Sequence, residues 1–459
     1  METVKGPVAG PDGLTASGNT FYVANENTSL IGSISVERDR PVGKTSLLGA
    51  IFIVVNACIG AGMLNFPAAY QGAGGIHVGI LMQCALLLVV FGSLLILALC
   101  ADIRLSPSYQ DVITEMCGGI GKILSEIMII IYTFGSCVAY FIVIGDQLDS
   151  ILTFIHGEDF ADFWYMNRKF TISIFAVFII FPLCIPKNID FLKYPSSVGV
   201  LASFYVCAVI VVNYHIYPPP TAEIITKPQS WMDVFSAIPA ICFGFQCHVS
   251  SVPVYSSLKK RTLGEFTKVV IGALTIGFIA YTLAGVYGSL TFGWVVCSDV
   301  LLSYNADDVP VTVARCMILC NMLTTYPVLQ FCGRLAIDSM WVTSWNLSSE
   351  EAERRAKPRR IIETLIWFIC SLFLALFIPN IGVVISVIGG LAAVFILVFP
   401  GVCLIQFVLK HSAASIPKQR FLIAIGFIYT ALGIFILGES TTQSIMKDVM
   451  NGHQQSGQC

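Results

Sequence analysis

The chain has 459 residues, of which 56% are hydrophobic and only 12% charged, with a formal net charge of −2 and a mean hydropathy of +0.79. A soluble domain carries about 25% charged residues, so the composition excludes a water-soluble globular protein and points to a polytopic membrane protein.

Residues 1–44 are rich in Gly, Ser, Thr and Asn, hold no apolar run of the signal-peptide kind, and read as a disordered cytoplasmic tail. Residues 45–438 carry the apolar windows, and 439–459 form a short tail on the far, luminal or extracellular side. Windows of roughly 20 apolar residues begin near Leu47, Ile76, Ile123, Phe170, Pro195, Trp231, Lys268, Val309, Ile361, Gly382 and Phe421. Eleven spans put the termini on opposite sides of the bilayer. Positive charge is retained on the cytoplasmic side, and with the N-terminus there, all of the 26 Lys and Arg residues but five fall in cytoplasmic segments. The five are Arg168, Lys169, Lys227 and Lys447 on the far side and Arg315 within a span. Nearly all cysteines lie in spans or on the cytoplasmic side, with Cys297 and Cys459 opposite, so no disulfide framework is expected.

The first span holds NACIGAGMLNFP, with two asparagines, two glycines and a proline where hydrocarbon calls for unbroken helix. The sixth reads AIPAICFGFQCHVSSVPVY, with Gly244 at its middle, matching the place of Gly60 in the first. Non-helical backbone at membrane depth survives only inside protein or beside a wet cavity, and paired interruptions in two halves mark the substrate site of many transporters. A small-residue packing seam is the alternative for Gly60, Ala61 and Gly62 taken alone. With five spans per half and one added, the pattern is a five-plus-five inverted repeat.

A free amino acid suits such breaks. The amides that open the segment after Gly60, through Ala61 and Gly62, suit its carboxylate. Carbonyls released around Cys242, Phe243, Gly244 and Phe245 suit its ammonium. Gln246, Asn65 and Tyr132 are the candidates for reading the side chain. Gln246 has the alternative of capping free backbone, and Tyr132 that of packing. His248 is expected as a hydrogen-bonded histidine at a helix start, and Arg315 as a structural partner of Asp146. No nucleotide loop, metal cluster or nucleophile constellation occurs, so an enzyme is not expected.

The stretches NACIGAGMLNFPAAYQGAGG, YTFGSCVAYFIVIGDQL and LTTYPVLQFCGR resemble the sodium-coupled neutral amino acid transporter family, within the amino acid/auxin permease group, from about Thr45 to Leu437. That resemblance implies an all-α, leucine-transporter-like fold of ten core helices plus one, with helices 1 and 6 broken. It also implies a sodium ion held by Asn56 on the first span, by the Thr324–Thr325 pair on the eighth and by freed carbonyls near Ile59; which threonine binds stays open. Within the family it resembles a lysosomal member most, implying alternating-access export of glutamine and asparagine to the cytosol, driven by sodium or protons and without a cofactor. The plasma membrane is the second location, and an amino-acid sensor signalling through a cytoplasmic segment is the alternative function. In the tail, ENTSLI (Glu26 to Ile31) is similar to an acidic dileucine signal and makes a clathrin adaptor a candidate partner, alongside substrate, ion and lipid bilayer. No nucleic-acid partner is expected.

Overall fold

The computed structural model describes residues 43–157, 167–186, 193–216, 223–378, 380–412 and 415–451. These are helical apart from turns and one isolated β-bridge between Thr45 and Leu258. The helices, in order, are α1a (Leu47–Cys58), α1b (Phe66–Gly72), α2 (Ile76–Arg104), α3 (Tyr109–His156), α4 (168–184), α5 (Lys193–Ile216), α6a (Ile238–Gly244), α6b (His248–Ser257), α7 (Leu263–Phe292), α8 (Val309–Ser344), α9 (Ala356–Phe377), α10 (Ile381–His411) and α11 (Ile416–Asn451).

Among the described residues nine helices are long and apolar enough to cross a bilayer, and the bent pair Leu47–Cys58 with Gly62–Gly72 makes a tenth. The eleventh expected span is α4, whose described pieces of 8, 5 and 4 residues fall short of that length.

Each departure from regular helix has a local cause. In α1 the Ile59 amide still bonds to the Val55 carbonyl, Gly60 is extended (φ −145°, ψ −151°), and residues 61–65 form a tight 3-10 turn. The next helix opens with Pro67 in its first turn, where a missing N–H costs nothing. The α6a half likewise starts with Pro239 in its first turn, and the chain leaves helical geometry at Phe245 and Cys247 before α6b begins. Five-residue π-helical segments at 176–180 and 394–398 run directly up to the Phe-Pro pairs 181–182 and 399–400. Widening the helix there relieves the clash of the proline ring with the preceding turn.

The third helix starts at Tyr109, well before the expected Ile123, because Ser108 caps it by accepting from the Asp111 amide. Gly118 (φ 72°) then turns the chain from this lead-in segment into the span. Gly74 (φ 93°) and Gly75 (φ 112°) make the turn after α1b.

Helices α1 and α6 lie at the centre. In its most apolar window the 231–257 segment is 83% buried, against 17% for α11, which sits outside against α10. Around the centre, α7 packs on α1a, α1b and α2, while α8 packs along α3 and α5.

Candidate substrate and ion site

The two interruptions touch. A Cβ on Gly62 would stand 3.2 Å from the Gly244 Cα and 3.2 Å from the Phe243 ring. A Cβ on Gly60 would meet only the Tyr140 hydroxyl, at 3.3 Å. Gly62, more than Gly60, therefore sets how closely the halves approach.

At the meeting point α1a ends on the Cys58 carbonyl and α6a on the Gly244 carbonyl. The Tyr281 hydroxyl, from α7, lies 2.7 Å from the first and 2.9 Å from the second, and can donate its one proton to either. Its ring stacks parallel on Phe66 at 4.2 Å and takes the edge of Phe245 at 4.9 Å. Tyr281 was not among the sequence candidates. It sits in an apolar run of α7 with nothing in its spacing to mark it, and only its partners reveal it.

The other candidates distribute around this junction. Cys242, Phe243 and Gly244 close α6a and are buried. Tyr132, also buried, faces Phe243 with ring centroids 6.4 Å apart and Phe395 at 5.5 Å. The buried Gln246 side chain has an amide nitrogen with no hydrogen-bond partner among the described residues. The amide of Asn65 donates to the Ser298 carbonyl at 2.9 Å and so ties the first break to the loop between α7 and α8. Of Ala61 the structure describes the backbone, in the 61–65 turn. His248 is fully buried with its Nε2 2.7 Å from the Ser93 hydroxyl. The Ser93 hydroxyl also lies 2.8 Å from the Val90 carbonyl, and His248 is the hydrogen-bonded histidine expected.

The ion candidates lie on α1a and α8, both of which pack on α5. Asn56 is half-buried one turn before the break, and Ile59 has left helical geometry (ψ 105°), which frees its carbonyl. The Thr324 and Thr325 hydroxyls each donate to the Asn321 carbonyl at 2.9 Å, and Thr325 also lies 3.1 Å from the Asn321 side-chain oxygen. Protons so directed leave hydroxyl lone pairs available to a hard cation. Asn321 was missed from sequence; it packs against Gly199 of α5, where a Cβ would come within 2.3 Å of its oxygen.

Two polar clusters flank the junction, at opposite ends of α1 and α6. On the side where the chain enters α1a, the Thr45 amide donates to the Ser257 carbonyl and the Lys259 amide to the Thr45 carbonyl, both at 3.0 Å. Nearby, the Tyr255 hydroxyl donates to Asp102 at 2.6 Å. On the opposite side, Asp146 pairs with Arg168 at 2.7 Å. The expected Arg315 to Asp146 contact is thus corrected: Arg315 donates to the carbonyls of Leu301 and Tyr304 at 3.0 and 3.1 Å and holds the loop instead. Asp299 in that loop is buried, accepts from Gln147 at 2.7 Å and caps the turn through the Leu301 amide. Burial, and next the nearby Asp146 carboxylate, push its carboxyl up to about 7. Among the described residues fourteen cysteines are free and Cys297 is disulfide-bonded, so this side carries a covalent bond that the sequence reading did not anticipate.

Residues 43–446 match the family model described as transmembrane amino acid transporter protein. The chain belongs to that family. It is a family of transporters, not enzymes, and the resemblance read from the three motifs holds. Two similar relatives are both named sodium-coupled neutral amino acid transporter 7. The one from Rattus norvegicus is 46% identical over 419 residues, 90% of each chain, and the one from Homo sapiens is 46% identical over 414 residues, 89% of each. Solute carrier family 38 member 8 of Homo sapiens is 36% identical over 411 residues, 87% of this chain and 94% of that one. Among solved structures, MhsT in complex with L-phenylalanine superposes with a TM-score of 0.51 at 15% identity, covering 87% of this chain and all of that one. That likeness bears on the fold, and agrees with the leucine-transporter-like arrangement of broken helices.

Proposed function

We propose that this protein is a sodium-coupled secondary transporter of neutral amino acids, with glutamine and asparagine as its substrates. The observation that carries the reading is the junction of two broken helices, where backbone carbonyls of Cys58 and Gly244 converge on one point. Those carbonyls receive the substrate ammonium, and the amides opening the 61–65 turn receive the carboxylate. The unpartnered amide nitrogen of Gln246 donates to the carboxamide oxygen of the substrate side chain. An apolar side chain of equal size would leave it unpaired, at a cost of about 1–3 kcal/mol. Asn56, the Ile59 carbonyl and the Thr324–Thr325 pair form the sodium site, and the names of the similar relatives support sodium over protons.

The transport step rocks α1, α2, α6 and α7 against α3, α4, α8 and α9, opening the two polar clusters in turn. We place the protein in the lysosomal membrane with its N-terminus in the cytosol, exporting substrate. The dileucine-like stretch that would supply the address, through a clathrin adaptor, lies outside the described residues. Its test is Leu30→Ala with Ile31→Ala, which should move the protein to the cell surface; a fully lysosomal double variant removes that address.

The test of function is counterflow in proteoliposomes, with neutral, basic and acidic amino acids and with sodium or a pH gradient as the single variable. Glutamine exchange that needs sodium supports the proposal. Binding without exchange would favour a sensor, and exchange driven by pH alone would overturn the coupling.

A further inference from the structure

The Tyr281 hydroxyl has one proton, and two carbonyl oxygens stand within hydrogen-bond distance of it, 2.7 and 2.9 Å away. Each carbonyl oxygen carries two lone pairs and the phenol oxygen has its own. Three converging oxygens thus share a single proton. Both carbonyls also end helices, where the aligned peptide dipoles leave partial negative charge, and a neutral phenol does not neutralise it. The group that complements such a cluster is a cation with several N–H donors and no acceptor, which describes an ammonium.

The cluster is held rigid. Tyr281 is fully buried, its ring parallel to Phe66 at 4.2 Å and edge-on to Phe245 at 4.9 Å, so the hydroxyl cannot swing away. Gly244 completes the fit: a Cβ there would stand 2.9 Å from the Phe66 ring and 3.2 Å from the Tyr281 ring. Phe66 opens α1b, Phe245 lies in the sixth-helix break, and Tyr281 belongs to α7. One side chain therefore ties together three segments that the proposed transport step moves as a body.

We infer that Tyr281 is the positioning residue of the ammonium subsite, fixing the Cys58 and Gly244 carbonyls as a paired acceptor and adding its own oxygen as a third. The inference rests on the proposed amino acid transport and adds to it a residue that sets discrimination at the amino group. A primary ammonium offers three N–H donors to the three oxygens; an N-methylated one offers two and brings a methyl into a space already filled by aromatic rings.

The experiment is Tyr281→Phe in proteoliposomes, beside wild type, with glutamine and N-methylglutamine as substrates. The substitution keeps the ring stack and removes the hydroxyl. The glutamine KM is expected to rise roughly tenfold, with maximal rate and sodium half-activation within about threefold of wild type and an unchanged melting temperature. The preference for glutamine over N-methylglutamine should shrink severalfold, which a purely structural role would not produce. Phe66→Leu, which loosens the ring and keeps the hydroxyl, should shift both quantities the same way by a smaller factor, and it serves if the first variant misfolds. A glutamine KM within twofold of wild type, an equal loss for both substrates, or a change confined to sodium activation overturns the inference. Absence of glutamine transport by the wild-type protein would instead count against the proposed function.

Discussion

Gly389→Ala probes the close contact between α10 and the first half of the sixth helix. Gly389 lies in α10 against α6a, and a Cβ there would fall 2.1 Å from the Pro239 carbonyl oxygen and 2.5 Å from its carbonyl carbon. Both are backbone atoms, so no rotamer change relieves the overlap. Carbon and oxygen settle about 3.3–3.6 Å apart in such contacts, so the helices must separate by roughly 1 Å. In a helix interior, alanine in place of glycine is otherwise favourable by about 1 kcal/mol. Overpacking of a close-packed interior costs about 1–3 kcal/mol and more when backbone must move, so the clash wins and the net effect is destabilising by roughly 1–2 kcal/mol. Gly264→Ala is the control, since a Cβ there meets nothing within 4 Å. Thermal unfolding of the purified variants in detergent should show Gly389→Ala a few degrees below wild type and Gly264→Ala at or above it. Counterflow should fall at least tenfold for Gly389→Ala, because the wedge displaces the half-helix that ends at the Gly244 carbonyl. Wild-type melting together with wild-type transport in Gly389→Ala would refute the reasoning.

Three further outcomes follow from the same geometry. Gly62→Ala should cut transport at least tenfold, since its Cβ presses on Gly244 and Phe243 at 3.2 Å, whereas Gly60→Ala, extended and facing one hydroxyl, should lose only a fewfold; equal losses measured by counterflow would contradict this ordering. Asp299 prefers its neutral form in the folded protein, because its carboxyl is pushed up to about 7, so the stability this contributes is complete below about pH 4 and lost as pH rises through about 7. At about 1.4 kcal/mol per pH unit the loss is at most about 4 kcal/mol. Asp299→Asn should therefore flatten the fall in melting temperature between about pH 5 and pH 8, and an unchanged slope would exclude Asp299 as its source. Asn56→Ala should raise the sodium half-activation concentration more than Thr324→Ala or Thr325→Ala singly, because each of those two hydroxyls donates to the same Asn321 carbonyl and leaves its neighbour in place; sodium dependence that survives Asn56→Ala would remove it from the ion site.

Sequence alone determined the membrane class, the order of the helices and the position of both breaks. Gly60, Gly62, Pro67 and Gly244 are conspicuous inside apolar windows because bilayer insertion penalises unpaired backbone, so their presence there carries a meaning that needs no coordinates. Hydropathy was weaker at helix ends. The third helix begins at Tyr109 because Ser108 caps it, while Asp111 and Glu115 lower the local hydropathy and hide that start. Partner choice lay beyond the sequence altogether. Asp146 could have met Arg315 or Arg168 by depth in the membrane, and only the packing of α4 on α3 brings Arg168 within 2.7 Å and leaves Arg315 to the loop carbonyls. Tyr281 is the extreme case: a tyrosine in an oily helix has no local signature, and its importance arises because α7 lies across both breaks and delivers one hydroxyl to two helix ends. Local sequence dictates where backbone groups are released, since that depends on residue type within one helix. Which side chain answers them depends on how separate helices pack, and that is decided only by the tertiary structure.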